Sequence, residues 1–338
     1  MKKRAFVCIM SLILVMAFVA GGAFPVWAKT VFRLSNQLPP SHHISKGLDI
    51  FAEKVSEYSK GEMELKVFHS AQLFKDTEVV EALQNELMEM GIIPINKWSG
   101  MIPATDIFEV PFIFNELPSI KNFIEAGADE ILDKEFRKKQ VKTVFWVDYG
   151  YVQFFNNKHP LTKPQDFAGL KMRTFSSGDS ETLQALGASP TVMSSSEMYM
   201  AMQRGTVDGG TTGMPAAVSR KLMEVQKFMT MANYATPEFI VQANLDWWKK
   251  LPEGDKEVIL KAGKIAEESI RQSVAESEAK AEKTLAENGV LIYRLTAADR
   301  QAFIAATNPV QQVYLNNTGD IGNKLLTLAK ELLAREVK

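Results

Sequence analysis

The feature that most constrains the fold is the alternation of strand and helix patterns at the start of the chain. Val31-Phe32-Arg33-Leu34-Ser35 reads as a strand and feeds a loop, Asn36 to His43. A helix follows with Leu48, Phe51, Ala52 and Val55 on one face and Gly61 as its stop. Met63 to Phe68 alternates as a second strand. Asp76 to Asn85 reads as a helix with acids in its first turn, and a short strand follows around Leu87 to Met90. A β-α-β-α-β order implies a parallel sheet with helices on its faces.

Further on, Leu117 to Phe136 has a helical pattern, and Val141 to Val147 is apolar enough to be a strand buried on both faces. Around Tyr149-Gly150-Tyr151 the chain is expected to leave one lobe for another. Fresh strands follow at Val152 to Phe155 and Leu170 to Arg173, with a helix near Gly178 to Leu186. Ser194 and Glu197 fit a capping box for the helix that ends at Gly205. Val207-Asp208 reads as a strand end running into the Gly209-Gly210-Thr211-Thr212-Gly213 loop, and Phe239 to Ala243 returns to the first lobe. Pro252 and Gly289 bracket a long helical pattern from Glu253 to Asn288 that suits a helix spanning both lobes. Leu291 to Leu295 is one more strand, and two helices close the chain.

The first residues, Met1-Lys2-Lys3-Arg4, an apolar run from Ala5 to Ala20 and Val26-Trp27-Ala28, read as a secretory signal peptide cut after Ala28. The single cysteine, Cys8, lies inside it. The mature chain then has no disulfide, thiol nucleophile or cysteine-based metal site, and depends on a large core, most simply as two lobes. Losing Lys2, Lys3 and Arg4 leaves 36 cations against 40 acids, a net charge near −4. No basic run with interleaved aromatics occurs, which argues against nucleic acid. No second apolar span is long enough to cross a membrane, so no direct insertion is expected after cleavage.

Chemistry-bearing motifs are few. His42 and His43 are adjacent, His69 and His159 lie apart, and zinc catalysis wants three ligands, so no metal is expected. The Gly/Thr loop lacks the Gly-Lys-Ser/Thr ending of a phosphate loop, and no nucleophile elbow appears, so neither a cofactor nor an enzyme activity has a motif behind it. The most informative stretch is Asp166-Phe167-Ala168-Gly169-Leu170-Lys171-Met172-Arg173-Thr174: a turn, then a strand ending in an arginine, then the polar loop Thr174 to Gly178. Ligands of open α/β sheets sit beyond the carboxyl ends of strands, where a guanidinium fork suits a carboxylate.

Several segments carry a family likeness. They are Gly150, Asn157-Lys158, Pro160, the run from Asp166 to Arg173, Leu186-Gly187-Ala188, Ser189-Pro190, Ser196-Glu197-Met198-Tyr199, Ala201-Met202-Gln203-Arg204-Gly205, Val207-Asp208-Gly209, Glu224-Val225-Gln226-Lys227 and Trp248-Lys249-Lys250-Leu251-Pro252. Val110-Pro111-Phe112-Ile113-Phe114 adds a first-lobe motif. In order and spacing the chain resembles the extracytoplasmic solute-binding proteins of tripartite ATP-independent periplasmic (TRAP) transporters, the DctP-like family. The resemblance implies an α/β fold, a two-lobed periplasmic binding protein (type II-like). Each lobe would be a mixed sheet flanked by helices, with a long helix spanning the lobes. It implies capture of a small organic acid in the cleft, an Arg173 that grips the ligand carboxylate, and membrane permease subunits as partners. Two departures stand out: Tyr151 where many members carry a second Arg, and Thr212 where many carry an Asn. With Tyr151 in place of a cation, one Arg is expected to hold one carboxylate, the ligand's other end being neutral or aromatic-friendly.

The expected organisation is a signal peptide at 1–28, a first lobe of 29–150 plus about 239–280, and a second of 151–238 plus about 281–338. The candidate ligand-binding residues are Arg173, Tyr151, Thr212, Phe175, Thr211, Trp98, Gln37 and Asn157. The expected role is a periplasmic receptor delivering a carboxylate to an ion-gradient-driven permease. The alternatives are a ligand-presenting protein for a sensor, or a hydrolase or lyase acting on a small acid.

Overall fold

The computed structural model describes residues 29–114 and 116–336, so the expected signal peptide and Cys8 lie outside the described residues. Among the described residues eleven strands form two sheets. The first contains β1 (Thr30–Ser35), β2 (Met63–Phe68), β3 (Met90–Pro94), β4 (Val141–Val147) and β10 (Phe239–Asn244), in the order β2-β1-β3-β10-β4. The second contains β5 (Val152–Asn156), β6 (Lys171–Thr174), β7 (Ser189–Val192), β8 (Gly209–Gly213), β9 (Phe228–Met231) and β11 (Leu291–Arg294), in the order β11-β9-β5-β8-β6-β7.

The β-α-β-α-β opening forms the parallel part of the first sheet, with β1 parallel to both β2 and β3. β10 then slots antiparallel between β3 and β4, placing Ile240 beside Ile93 and Trp146. Every residue of β3 and β10 is buried, as befits strands covered on both faces. The expected Gly/Thr loop is instead the strand β8, buried throughout. Its Gly210 lies opposite Arg173, where a Cβ would come within 2.9 Å of the arginine's own Cβ.

Three connections join the sheets: the crossover between β4 and β5, the return from β9 to β10, and the Glu253–Glu287 helix. That helix packs Ile259, Ala262, Ala266 and Ile270 into the core around the first sheet, and Ala281 and Leu285 against Phe155 of the second. It therefore spans the lobes. The terminal helical segment, Ala297–Glu336, breaks at Gly319, giving the two helices expected. Phe303 packs on Phe154 and Phe167 of the second sheet. Beyond it, Tyr314 OH donates to Ala104 O (3.1 Å), and Leu325, Leu326 and Ala329 join the core beside the first sheet. A second lobe taken as 281–338 therefore includes a segment that packs on the first, because the helix carries apolar residues to both.

Two local expectations are corrected. The helix expected from Asp76 covers only Val79–Gln84. The Ser194/Glu197 capping box does not form: Met198–Gln203 starts after Glu197, whose side chain pairs with Lys75, and Ser194 donates elsewhere.

At the first crossover Gly150 adopts φ +106°, and a Cβ there would lie 2.2 Å from Glu278 Oε1 of the long helix. That oxygen accepts the Tyr151 amide at 3.2 Å, and burial pushes the Glu278 carboxyl up to about 8. The crossover is thus pinned to the helix by a neutral carboxyl that a side chain at position 150 would displace. Gly150→Ala is expected to cost about 1–3 kcal/mol, the scale of a strained backbone position. Urea denaturation of the mature protein checks this, and an unchanged midpoint would contradict the positive-φ requirement.

Candidate functional site

Arg173 stands near the carboxyl end of β6, between β7 and β8, and is fully buried. Its guanidinium is held rigidly. Nε and Nη2 donate to Met193 O (3.2 and 3.1 Å), Nη1 to Thr211 O (3.0 Å), and Nη2 also to Ser195 Oγ (2.7 Å). Its plane lies over the Phe175 ring, 4.6 Å from the centroid. Of the five N–H donors of an arginine, this leaves one, on Nη1, without an acceptor among the described residues.

The first lobe supplies the counter-charge. Asp76 is fully buried and accepts from Ser194 Oγ (2.5 Å) and from Ser195 Oγ (3.3 Å), the hydroxyl that also takes Arg173. Burial alone would raise the Asp76 carboxyl, but Lys97, the Ser194 bond and the fields of Arg173 and Arg220 outweigh it and hold it below the ordinary carboxylate value. Lys97 Nζ lies 3.4 Å from Asp76 and donates to Phe175 O (2.7 Å). Gln37 Oε1 accepts from Arg220 Nη2 at 3.0 Å. Asp76, Lys97 and Gln37 belong to the first lobe, and Ser194, Phe175 and Arg220 to the second, so the cleft is closed by polar contacts.

A second carboxylate organises the floor. Asp179, fully buried in the first turn of the Ser177–Ala185 helix, accepts from Thr211 Oγ1 (2.5 Å), Tyr234 OH (2.5 Å) and Phe175 N (3.2 Å). Burial pushes its pKa up, opposed by these bonds and by Arg173. Tyr149 OH meets Thr212 Oγ1 at 3.1 Å and accepts the Gly213 amide at 3.0 Å, while its ring stacks on Phe239. Lys97, Arg173 and Arg220 thus face one firmly ionised acid, Asp76, beside an Asp179 whose ionisation burial opposes. This balance favours an anion.

Of the residues expected from sequence, the structure brings together Arg173, Phe175, Thr211, Thr212 and Gln37. Trp98 lies in the first-lobe core, its ring tilted against Phe136 and its Nε1 donating to Gln242 Oε1 (2.9 Å). Tyr151 sits at the crossover, its amide on Glu278 and its hydroxyl bonded to the Leu117 backbone. Asn157 is at the other end of the second sheet, bonded through its amide to Asp208 O. Sequence reading missed Asp76, Lys97, Asp179, Ser195, Arg220 and Tyr234. The one available signal was Asp179, an acid on the first helical turn after the Arg173 strand.

Among the described residues no cluster of His, Cys, Asp and Glu could hold a metal ion, and no helix is long and apolar enough to cross a membrane. His42 and His43 stack on each other, and burial drives both pKa values down, that of His43 to about 4. Both are therefore neutral fold residues at physiological pH.

Residues 34–317 match the family described as bacterial extracellular solute-binding protein, family 7. The C4-dicarboxylate-binding periplasmic protein DctP of Rhodobacter capsulatus is 30% identical over 292 residues, covering 86% of this chain and 87% of that protein. A TRAP periplasmic solute-binding protein from Sulfurospirillum deleyianum, solved with bound succinate, has a TM-score of 0.84 and 28% identity over 91% of this chain and 99% of that one. One from Desulfovibrio salexigens, with bound orotic acid, has a TM-score of 0.86 and 26% identity over 91% and 99%. With the match spanning both lobes and the cleft between them, the chain belongs to the DctP family of bacterial extracellular solute-binding proteins.

Proposed function

We propose that this protein is an exported receptor that captures a small organic acid between its lobes and hands it, chemically unchanged, to a TRAP-type permease driven by an ion gradient. The observation that carries this reading is Arg173. It is a fully buried guanidinium at the lobe junction, fixed by two carbonyls and a serine, with one Nη1 hydrogen unclaimed and Lys97 and Arg220 nearby. Preorganised donors of this kind suit carboxylate recognition. Relatives solved with succinate and orotic acid support the ligand class. The first residues of the chain, read as a signal peptide, support export.

The expectation of a single carboxylate held by a single Arg changes with the geometry. Tyr151 stands at the crossover, whereas Lys97 and Arg220 bring two further cations to the cleft. A second acidic group on the ligand can therefore be met. Closure follows from contacts that exist only when the lobes meet, so a ligand that bridges them shifts the population toward the closed state. The crossovers around Gly150 and between β9 and β10 are the proposed hinge.

Arg173→Met is expected to weaken binding of the cognate acid by roughly 1.5–3 kcal/mol, one charge-assisted hydrogen bond, or about ten- to 150-fold. Arg173→Lys, which keeps charge and loses the fork, should lose less. Calorimetry against a panel of mono- and dicarboxylates, with circular dichroism to confirm folding, tests this. Wild-type affinity in a folded Arg173→Met protein would rule out the anchor. For the Asp76 contact, Asp76→Asn is expected to lower stability at pH 7 by about 1.5–3 kcal/mol, the worth of a hydrogen bond to a charged group. Because the folded pKa lies below 3.8, this contribution is present above that value and is lost as pH falls through the folded pKa. Denaturation at pH 7 and about pH 3 should show the gap narrowing, and an equal gap at both would mean that Asp76 is not ionised.

A further inference from the structure

Beside the cleft a cavity of about 280 Å³ lies between the Pro103–Glu109 turn of the first lobe, the first turns of the Ser177–Ala185 helix of the second, and the terminal helix. Asp106, Glu109 and Glu181 give it an acidic lining, and Val310, Val313 and Tyr314 an apolar one. No lysine, arginine or histidine lines it. Asp106 is half-buried. Ser99 Oγ donates to its Oδ1, whereas Oδ2 takes no hydrogen bond among the described residues. It packs so closely on the second-lobe helix that a Cβ at Gly178 would lie 2.9 Å from its Cγ. Glu109 is 1% exposed, and Asn96 Nδ2 donates to its Oε1 at 2.5 Å, yet its Oε2 has no partner.

Glu109 Oε2, wholly buried without a donor, neighbours a second carboxylate, Asp106, whose Oδ2 takes no hydrogen bond among the described residues, in a cavity with an apolar wall and no cation in its lining. We propose that this cavity binds a small organic amine. Its ammonium group would lie on Asp106 Oδ2, in the field of the Glu109 carboxyl behind it, and its short apolar body would rest on Val310, Val313 and Tyr314. An ammonium offers three donors and the positive charge that this lining wants. A neutral alcohol offers one donor and no charge.

The free protein meets the same deficit by holding protons. Burial and the neighbouring Asp179 push Asp106 up to about 7, and burial with Asp179 pushes Glu109 well above its ordinary value. The other groups facing this pair are Lys97 from the Ile95–Trp98 turn, which opposes the rise at Glu109, Tyr234, which feels the Glu109 charge, Glu181 on the second-lobe helix, and Tyr314 on the terminal helix. A cation that displaces these protons binds better as pH rises through about 7. The site uses none of the Arg173 donors, so it stands or falls independently of the proposed carboxylate capture.

The test is calorimetry on the mature protein with n-butylamine and benzylamine, against n-butanol and benzyl alcohol as neutral isosteres. The amines should bind at one site and bind about fivefold or more tighter at pH 8 than at pH 6. The alcohols should not saturate. Asp106→Asn should weaken amine binding about tenfold or more and flatten its pH dependence. Val313→Phe, which fills the cavity without touching a charge, should abolish amine binding and leave capture of organic acids intact. Alcohols binding as tightly as amines, amine affinity unmoved by Asp106→Asn, or no saturable amine binding at millimolar concentration would each overturn the proposal.

Discussion

A guanidinium wholly removed from water is expensive unless its donors and its charge are both answered, and the second lobe is built to answer Arg173. The donors go to Met193 O, Thr211 O and Ser195 Oγ, supplied by the loop after β7 and by β8. Part of the charge is answered by Asp179 in the same lobe and part by Asp76 in the other. The Ser195 hydroxyl links the last two, accepting from Arg173 and donating to Asp76. Separating the lobes would remove Asp76 from this group and let water replace it. The closed and open states therefore exchange one solvation of the same charges for another, and an anion contacting both lobes can decide between them.

The surrounding acids explain how such a cleft stays electropositive in a chain rich in carboxylates. Burial holds Glu109 and Asp106 toward their neutral forms, and it also pushes Asp179 up. Asp76 alone is held firmly ionised, because Lys97 and Ser194 face it directly. The same principle operates at the crossover, where Glu278 caps the Tyr151 amide as a largely neutral group. Placement inside the protein, rather than composition, sets the charge that a ligand meets.

Much of the architecture was legible because it follows local periodicity. The opening alternation, the apolar β4, the return of β10 and the long helix between Pro252 and Gly289 all announce themselves in consecutive residues. Arg173 was legible for the same reason, standing near a strand end before a polar loop. What failed was whatever needs a distant partner. Ser194 has the spacing of a helix cap, yet its hydroxyl goes to Asp76, 118 positions away. Lys97 reads as a turn lysine and becomes a cleft cation only because β3 delivers it opposite Phe175. Trp98 and Tyr151 carry the composition of pocket residues, but one faces the first-lobe core and the other the crossover. The Gly/Thr run looked like a loop, and tight contact with Arg173 explains its glycine at 210 within a strand.

The most direct test of the account is a crystal structure of the mature protein grown with an organic acid that it binds in solution. The account predicts a ligand carboxylate oxygen within hydrogen-bonding distance of Arg173 Nη1, between the two lobes, with Asp76 still bonded to Ser194. An acid seated elsewhere, with the Arg173 guanidinium bonded only to protein, would contradict it.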